Sequence, residues 1–192
     1  MNMQLSSRFD HALTFASDLH RKQFRKGSSV PYICHLLGVC SLVLEYGGDE
    51  DSAIAALLHD AIEDQGGLPT RDKIKQNFGE NVTAIVEACS DAYEKPKPPW
   101  RERKEAYINH VPNMSDQAAL VSAADKLHNV RSIIKDWHEI GEKIWDVFSA
   151  SKEETLWYYR ELAVAFYKRK PTPIAIELKR TVRELETLST DL

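Results

Sequence analysis

Two adjacent pairs of ionisable residues, His59-Asp60 and Glu63-Asp64, stand one helical turn apart in the run AALLHDAIED. On a continuous helix, at about 100° per residue, His59 and Glu63 form one i,i+4 row and Asp60 and Asp64 the neighbouring row, so four ionisable groups share one side. Carboxylates crowded in this way repel one another, and burying any of them without a partner is costly, for which a divalent cation is the most economical remedy. A helix end that is merely solvated fits less well. Acidic residues in a last turn oppose the helix dipole, and the preceding Ala53-Ile54-Ala55-Ala56-Leu57-Leu58 is apolar nearly all round, as expected of a buried helix.

Two further segments complete a set of donors. His35 follows PYIC, and Asp125 lies in AADKLHNVRS, so His35, His59, Asp60 and Asp125 can offer two imidazoles and two carboxylates to one cation. Mixed nitrogen and oxygen donors with positions left for water suit Mn, Fe or another transition ion better than a closed structural zinc site. Asp125, Asn129 and Ser132 fall on one helical stripe, where a ligand can meet all three. His128 and Arg131 flank that stripe, and the spacing leaves open whether they touch a ligand, support a neighbouring side chain or lie on the surface. Arg25 and Lys26 belong to a basic, glycine-containing loop, RKGSSVP.

The elements that must position these residues read as helices, and no stretch shows strand alternation or an internal repeat. From about Ser6 to Gln23, Phe9, Ala12, Leu13, Phe15, Ala16 and Leu19 mark one buried face. A second helix runs from about His35 to Tyr46 and stops at Gly47-Gly48; a third starts among the acidic residues Asp49 to Asp51 and ends with HDAIED. Thr70 is expected to cap a short helix to Phe78, with another over about Asn81 to Ala92. EKPKPPW reads as a loop. Helical pattern then covers about Arg101 to His110, Asp116 to Trp137, Glu142 to Ala150 and Glu153 to Lys168. After Pro171 and Pro173 a last amphipathic helix runs toward Leu188. The expected class is all-α, with a domain over residues 1–170 and a C-terminal helix, 171–192, packing on it or on a partner.

Composition bounds the rest. At 192 residues and 43% hydrophobic content the chain can bury a core without staples. Its 3 cysteines, Cys34, Cys40 and Cys89, form no CxxC pair, which argues for reduced thiols in the cytosol and against a zinc ribbon. Arg8, Asp10 and Asp18 interrupt any signal-peptide-like start, and no apolar run is long enough to span a bilayer, so a cytoplasmic protein without membrane partners is expected. A net charge of -4 offers no footprint for general nucleic-acid binding, although local basic clusters can still hold phosphate.

The ordered set RKGSSVPYICH, LLHDAIEDQ and ADKLHNVRS resembles the HD-domain metal-dependent phosphohydrolases, most closely the alarmone hydrolases: the hydrolase domain of Rel/SpoT-type stringent-response enzymes and their small stand-alone relatives. The resemblance implies a helical HD-domain bundle. It implies His35, His59, Asp60 and Asp125 as metal ligands, usually for Mn²⁺, and Glu63 and Asp64 as catalytic carboxylates. It implies Arg25 against a purine base with Lys26 nearby, Asn129 at the ribose and phosphate region, and Ser132 where the family often has Thr. Two departures bear on base preference: GSSVPYI replaces the common GEPYI, and Leu36 instead of Pro follows His35.

The function so implied is removal of the 3′-diphosphate, as pyrophosphate, from guanosine or adenosine alarmones, (p)ppGpp or (p)ppApp. An HD-type 5′-nucleotidase can use the same four ligands, and a regulatory module can bind a nucleotide without turning it over; both stay open as alternatives. The implied partner is a small nucleotide, and self-association is left open.

Overall fold

The computed structural model describes residues 4–91 and 96–190, and among these nine α-helices, labelled α1 to α9, form an all-α fold. The helices are α1 (Ser7–Leu19), α2 (Ile33–Glu45), α3 (Glu50–Leu58), α4 (Ala61–Asp64), α5 (Leu68–Cys89), α6 (Trp100–His110), α7 (Asp116–Ile140), α8 (Lys152–Arg169) and α9 (Pro173–Thr190). Between α1 and α2, one antiparallel bridge, Phe24 to Pro31, closes the basic loop.

α3 is the hub. Every residue from Ser52 to Leu58 is buried, and α1, α2, α5 and α7 surround it. Full burial of a side chain such as Ile54, Leu57 or Leu58 contributes roughly 1.5–3 kcal/mol, which offsets the cost of ordering the helix. Its start is fixed by Asp49, whose carboxylate accepts from the backbone N–H of Ser52 at 2.9 Å. Glu50 and Asp51 add favourable charge to the first turn and hold Arg8 of α1. α7, the longest element, begins at the N-cap Ser115 and packs against α2, α3, α5 and α9. α8 opens with a capping box between Ser151 and Glu154. α9 lies against α7 and α8 and sinks Ile174, Leu178, Val182 and Leu185 into the same core.

Three expectations are corrected. The HDAIED run is not one continuous helix: α3 ends at Leu58, Asp60 sits at φ -96°, ψ -1°, and α4 starts at Ala61. The helix after the Gly pair starts at Leu68 with Gly67 as N-cap; Thr70 instead donates its hydroxyl to the carbonyl of Gln65 at 2.5 Å. Within it, Gly79 at φ 89°, ψ 175° bends the chain where the spacing separates two helices. Its expected C-terminal residue, Ala92, lies outside the described residues, as does part of EKPKPPW. Finally, Gly141 at φ 62° ends α7, and the segment that follows, Gly141–Val147, is a tighter 3₁₀ helix and not an α-helix. All three cysteines are free, and no helix among the described residues is long and apolar enough to cross a membrane.

Candidate active site

Three separate parts of the fold deliver the donor set to one point. His35 comes from the first turn of α2, His59 and Asp60 from the break between α3 and α4, and Asp125 from the middle of α7. Both imidazoles are 1% exposed. His35 Nε2 lies 3.2 Å from Asp125 Oδ1 and 3.6 Å from Asp60 Oδ2; His59 Nε2 lies 2.9 Å from Asp60 Oδ2 and 3.6 Å from Asp125 Oδ1. The donor atoms of His35, His59 and Asp125 all fall within 4.8 Å of one another, and Asp60 stands against both rings.

The far nitrogens are committed elsewhere. His59 Nδ1 donates to the Ala56 carbonyl at 2.8 Å, which commits that nitrogen and turns Nε2 toward the centre. His35 Nδ1 faces His128 Nδ1 at 2.9 Å. Burial opposes the charging of His59, but the Asp60 and Asp125 carboxylates outweigh it and raise its pKa well above the usual histidine range. The converse holds for Asp60, where His59 overcomes burial, and for Asp125, where Lys126 at 2.6 Å and the imidazoles do so; both carboxyls stay well below their ordinary values. This centre calls for positive charge, and two convergent Nε2 atoms with two carboxylates are a donor set that fits a divalent transition ion.

Glu63 and Asp64 leave this centre along α4 and meet different partners. Glu63 accepts from Lys97 Nζ at 2.6 Å and from the Asp91 backbone N–H at 3.4 Å, while burial and then the charge of Asp91 push its carboxyl up. Asp91 is itself buried against Arg103 and Lys104, each at 2.6 Å. Asp64 accepts from Gln23 Nε2 at 2.7 Å and is raised by burial and by Asp60. Gln23 cannot turn freely, because its Oε1 accepts from Gln65 Nε2 at 2.5 Å and pairs with His20 Nδ1 at 2.7 Å. The His20 ring stacks on Tyr32, whose hydroxyl donates to Asp60 Oδ2 at 2.6 Å. Burial and the Asp60 charge raise Tyr32 far above its usual pKa, so it remains a neutral donor.

A cavity of about 740 Å³ opens beside these groups, lined by Arg25, Lys26, His35, Asp64, Asn129 and Ser132 among others. Arg25 Nη2 donates to Asn129 Oδ1 at 2.7 Å, and its Cζ is 5.8 Å from the centre of the Tyr32 ring. Asn129 Nδ2 in turn donates to Asp125 Oδ1 at 2.5 Å, so a short polar chain ties the basic loop to the donor set. Ser132 turns its hydroxyl back to the His128 carbonyl at 3.0 Å. Ile144, Val147 and Phe148 form the apolar far wall. Arg131, which flanks the stripe in sequence, pairs with Glu177 on the surface of α9.

Residues 12–155, three quarters of the chain, match the HD domain family. The chain belongs to the HD-domain family. A guanosine-3′,5′-bis(diphosphate) 3′-pyrophosphohydrolase of Xenopus tropicalis, MESH1, is 42% identical over 125 residues, 64% of this chain and 67% of that protein. A guanosine-3′,5′-bis(diphosphate) 3′-pyrophosphohydrolase of Haemophilus influenzae is 35% identical over 124 residues, 62% of this chain but 17% of its own length. Among solved structures, one described as a metazoan ortholog of SpoT that hydrolyzes ppGpp superposes with a TM-score of 0.78 over 96% of this chain and 98% of that one. At 23% sequence identity this likeness speaks for the fold.

Within this HD-domain site several participants escape a reading of the sequence: His20, Gln23, Tyr32, Lys97 and the Asp91 cluster. His20 caps the end of α1 and Gln23 lies in the turn after it, so no helical spacing in the sequence marks them as partners.

Proposed function

We propose that this HD-domain protein is a metal-dependent 3′-pyrophosphohydrolase of guanosine or adenosine alarmones, releasing pyrophosphate. The observation that carries the reading is a buried cluster of His35, His59 and Asp125, with Asp60 against both rings, beside a nucleotide-sized cavity that Asp64 and Arg25 both line. The 3′-pyrophosphohydrolase activity named for the 42%-identical relative supports the same reaction.

In this reading His35, His59, Asp60 and Asp125 hold one divalent ion, which we assign as Mn²⁺. Such an ion supplies Lewis acidity toward a phosphoryl oxygen and a water nucleophile. The chain's own residues do the remainder. Glu63 and Asp64 orient the attacking water, take its proton and return one to the departing ribose 3′-oxygen; burial raises both carboxyls above their ordinary values. The water oxygen ends on phosphorus, the bond from phosphorus to the 3′-oxygen breaks, and pyrophosphate leaves. Gln23 aims Asp64 and Lys97 aims Glu63. Arg25 lies over the purine with Lys26 close by, while Asn129 and Ser132 face the ribose and phosphates. We assign the chemistry to residues 1–170, with α9 bracing the bundle, and place the protein in the cytoplasm.

A panel of nucleotides with Mn²⁺ tests the reading. The 3′-diphosphates of guanosine and adenosine are expected to release pyrophosphate, and 5′-nucleotides lacking the 3′-group to remain intact. Loss of metal and turnover together is expected in His59→Ala. Release of inorganic phosphate from 5′-monophosphates, with 3′-diphosphates untouched, would establish a nucleotidase instead.

A further inference from the structure

We propose that His128 is a positioning residue for the cation centre: held against Gly38, its ring accepts the Nδ1 proton of His35 and thereby fixes the tautomer and the angle at which His35 presents Nε2. The inference rests on the reading that His35 is a ligand.

Two ring nitrogens face each other at 2.9 Å, His35 Nδ1 and His128 Nδ1, with ring centres 4.8 Å apart and planes at 64°. A contact of that length between two imidazoles contains one hydrogen, because two would clash and none would leave two lone pairs opposed. If His128 supplied it, neutral His35 would carry its own proton on Nε2, the atom 3.2 Å from Asp125 Oδ1 and 3.3 Å from His59 Nε2, and could not ligate. A ligating His35 therefore requires His128 as acceptor, protonated on its own Nε2. His59 solves the same problem differently, donating to the Ala56 carbonyl, a partner that can only accept.

The second observation concerns space. Gly38 stands three residues after His35, one turn on along the same face of α2. A Cβ built there would lie 2.3 Å from His128 Nε2 and 2.4 Å from its Cδ2, far inside any real contact. The ring thus fills the space that any other residue at 38 would take. Asp125 and His128 are both carried by α7, so this one helix supplies a donor and also the brace for the donor on α2.

Cation affinity, measured by competition with a fluorescent chelator, tests the assignment, with the visible spectrum of the Co²⁺-substituted protein as a second readout. His128→Leu removes the acceptor and is expected to weaken binding about 10- to 100-fold, the range for lost support of a ligating histidine. It should also change the Co²⁺ spectrum. His128→Asn brings an amide oxygen near the Nδ1 position and is expected to restore most of the affinity and the spectrum. Gly38→Ala should weaken binding in the native background by displacing the ring, and add no further loss on top of His128→Leu. Should Gly38→Ala fail to fold, the Leu and Asn pair decides alone. A His128→Leu protein with native affinity and spectrum, or an Asn variant as impaired as Leu, would overturn the role of His128. A native protein that binds neither Mn²⁺ nor Co²⁺ would overturn the cation reading and this inference with it.

Discussion

Replacing Arg25 by Ala is the perturbation that separates nucleotide recognition from catalysis. Its guanidinium is half-buried in the wall of the cavity, bonded to Asn129 at 2.7 Å and 5.8 Å from the centre of the Tyr32 ring, contacts that hold the group in place where a purine can pack against it. Cation–π and stacking contacts of this kind contribute about 0.5–1 kcal/mol when exposed and about 2 kcal/mol when desolvated. A half-buried site falls between, at roughly 1–1.5 kcal/mol, which is about a 5- to 12-fold rise in Kd. Titration calorimetry of guanosine and adenosine 3′-diphosphates against an Asp64→Asn protein, with and without Arg25→Ala, reads this directly. Both purines should lose affinity to a similar degree, because a guanidinium face does not distinguish them, while cation binding stays unchanged. Asn129→Ala should cost less in the Arg25→Ala background than in the native one, since one task of Asn129 is to orient Arg25. Unchanged Kd for both nucleotides would refute the placement of Arg25 over the base.

Glu63→Gln and Asp64→Asn keep shape and remove charge, so turnover should fall by roughly 10²-fold or more with metal content largely kept; native turnover in both would reduce the pair to a structural role. Asp116 is held down at about 2 by Lys170 and Arg169 from its ordinary 3.8. A carboxyl depressed on folding stabilises above its unfolded pKa and loses that stabilisation as pH falls, here from 3.8 towards 2. The difference in melting temperature between native protein and Asp116→Asn should therefore be constant above that window and vanish through it, and a difference independent of pH would contradict this. Gly27→Ala forces a side chain onto a residue at φ 73° and places its Cβ 2.7 Å from Val147 Cγ1. A cost of about 1–2 kcal/mol, or a drop of roughly 3–6 °C in Tm, is expected, with Val147→Ala relieving only the steric part; a melting temperature equal to the native one would refute it.

Where burial dictates a helix, periodicity was enough to find it. The stripe from Phe9 to Leu19 and the apolar run before His59 follow from the need to hide their side chains, and both are helical here. The break at Asp60 is invisible in the sequence, because each residue of HDAIED tolerates a helix, and it lies where His59 meets His35 and Asp125. Likewise, Glu142 to Ala150 has helical spacing, but spacing does not distinguish an α-helix from the 3₁₀ helix that the chain forms there and ends at Val147. Within the site, His and Asp at fixed intervals are uncommon enough to stand out. Gln23, Tyr32 and Lys97 are not: amides, phenols and amines occur everywhere, and their partners are chosen by approaches between α1, α2, α4 and the segment before α6.

The small bridge between Phe24 and Pro31 joins two of these roles mechanically. It is closed by Arg25 N–H to the Val30 carbonyl at 2.8 Å and Tyr32 N–H to the Gln23 carbonyl at 2.9 Å. Arg25 on this bridge faces the cavity, and Gln23, two residues earlier, grips Asp64. In the proposed function, a base packed on Arg25 would act on the same few peptide units that hold Asp64, giving binding energy gathered far from phosphorus a route into the barrier. Trimming the base from the nucleotide should then slow turnover at saturation as well as raise KM, so that selectivity for a whole nucleotide is expressed in speed and not only in occupancy.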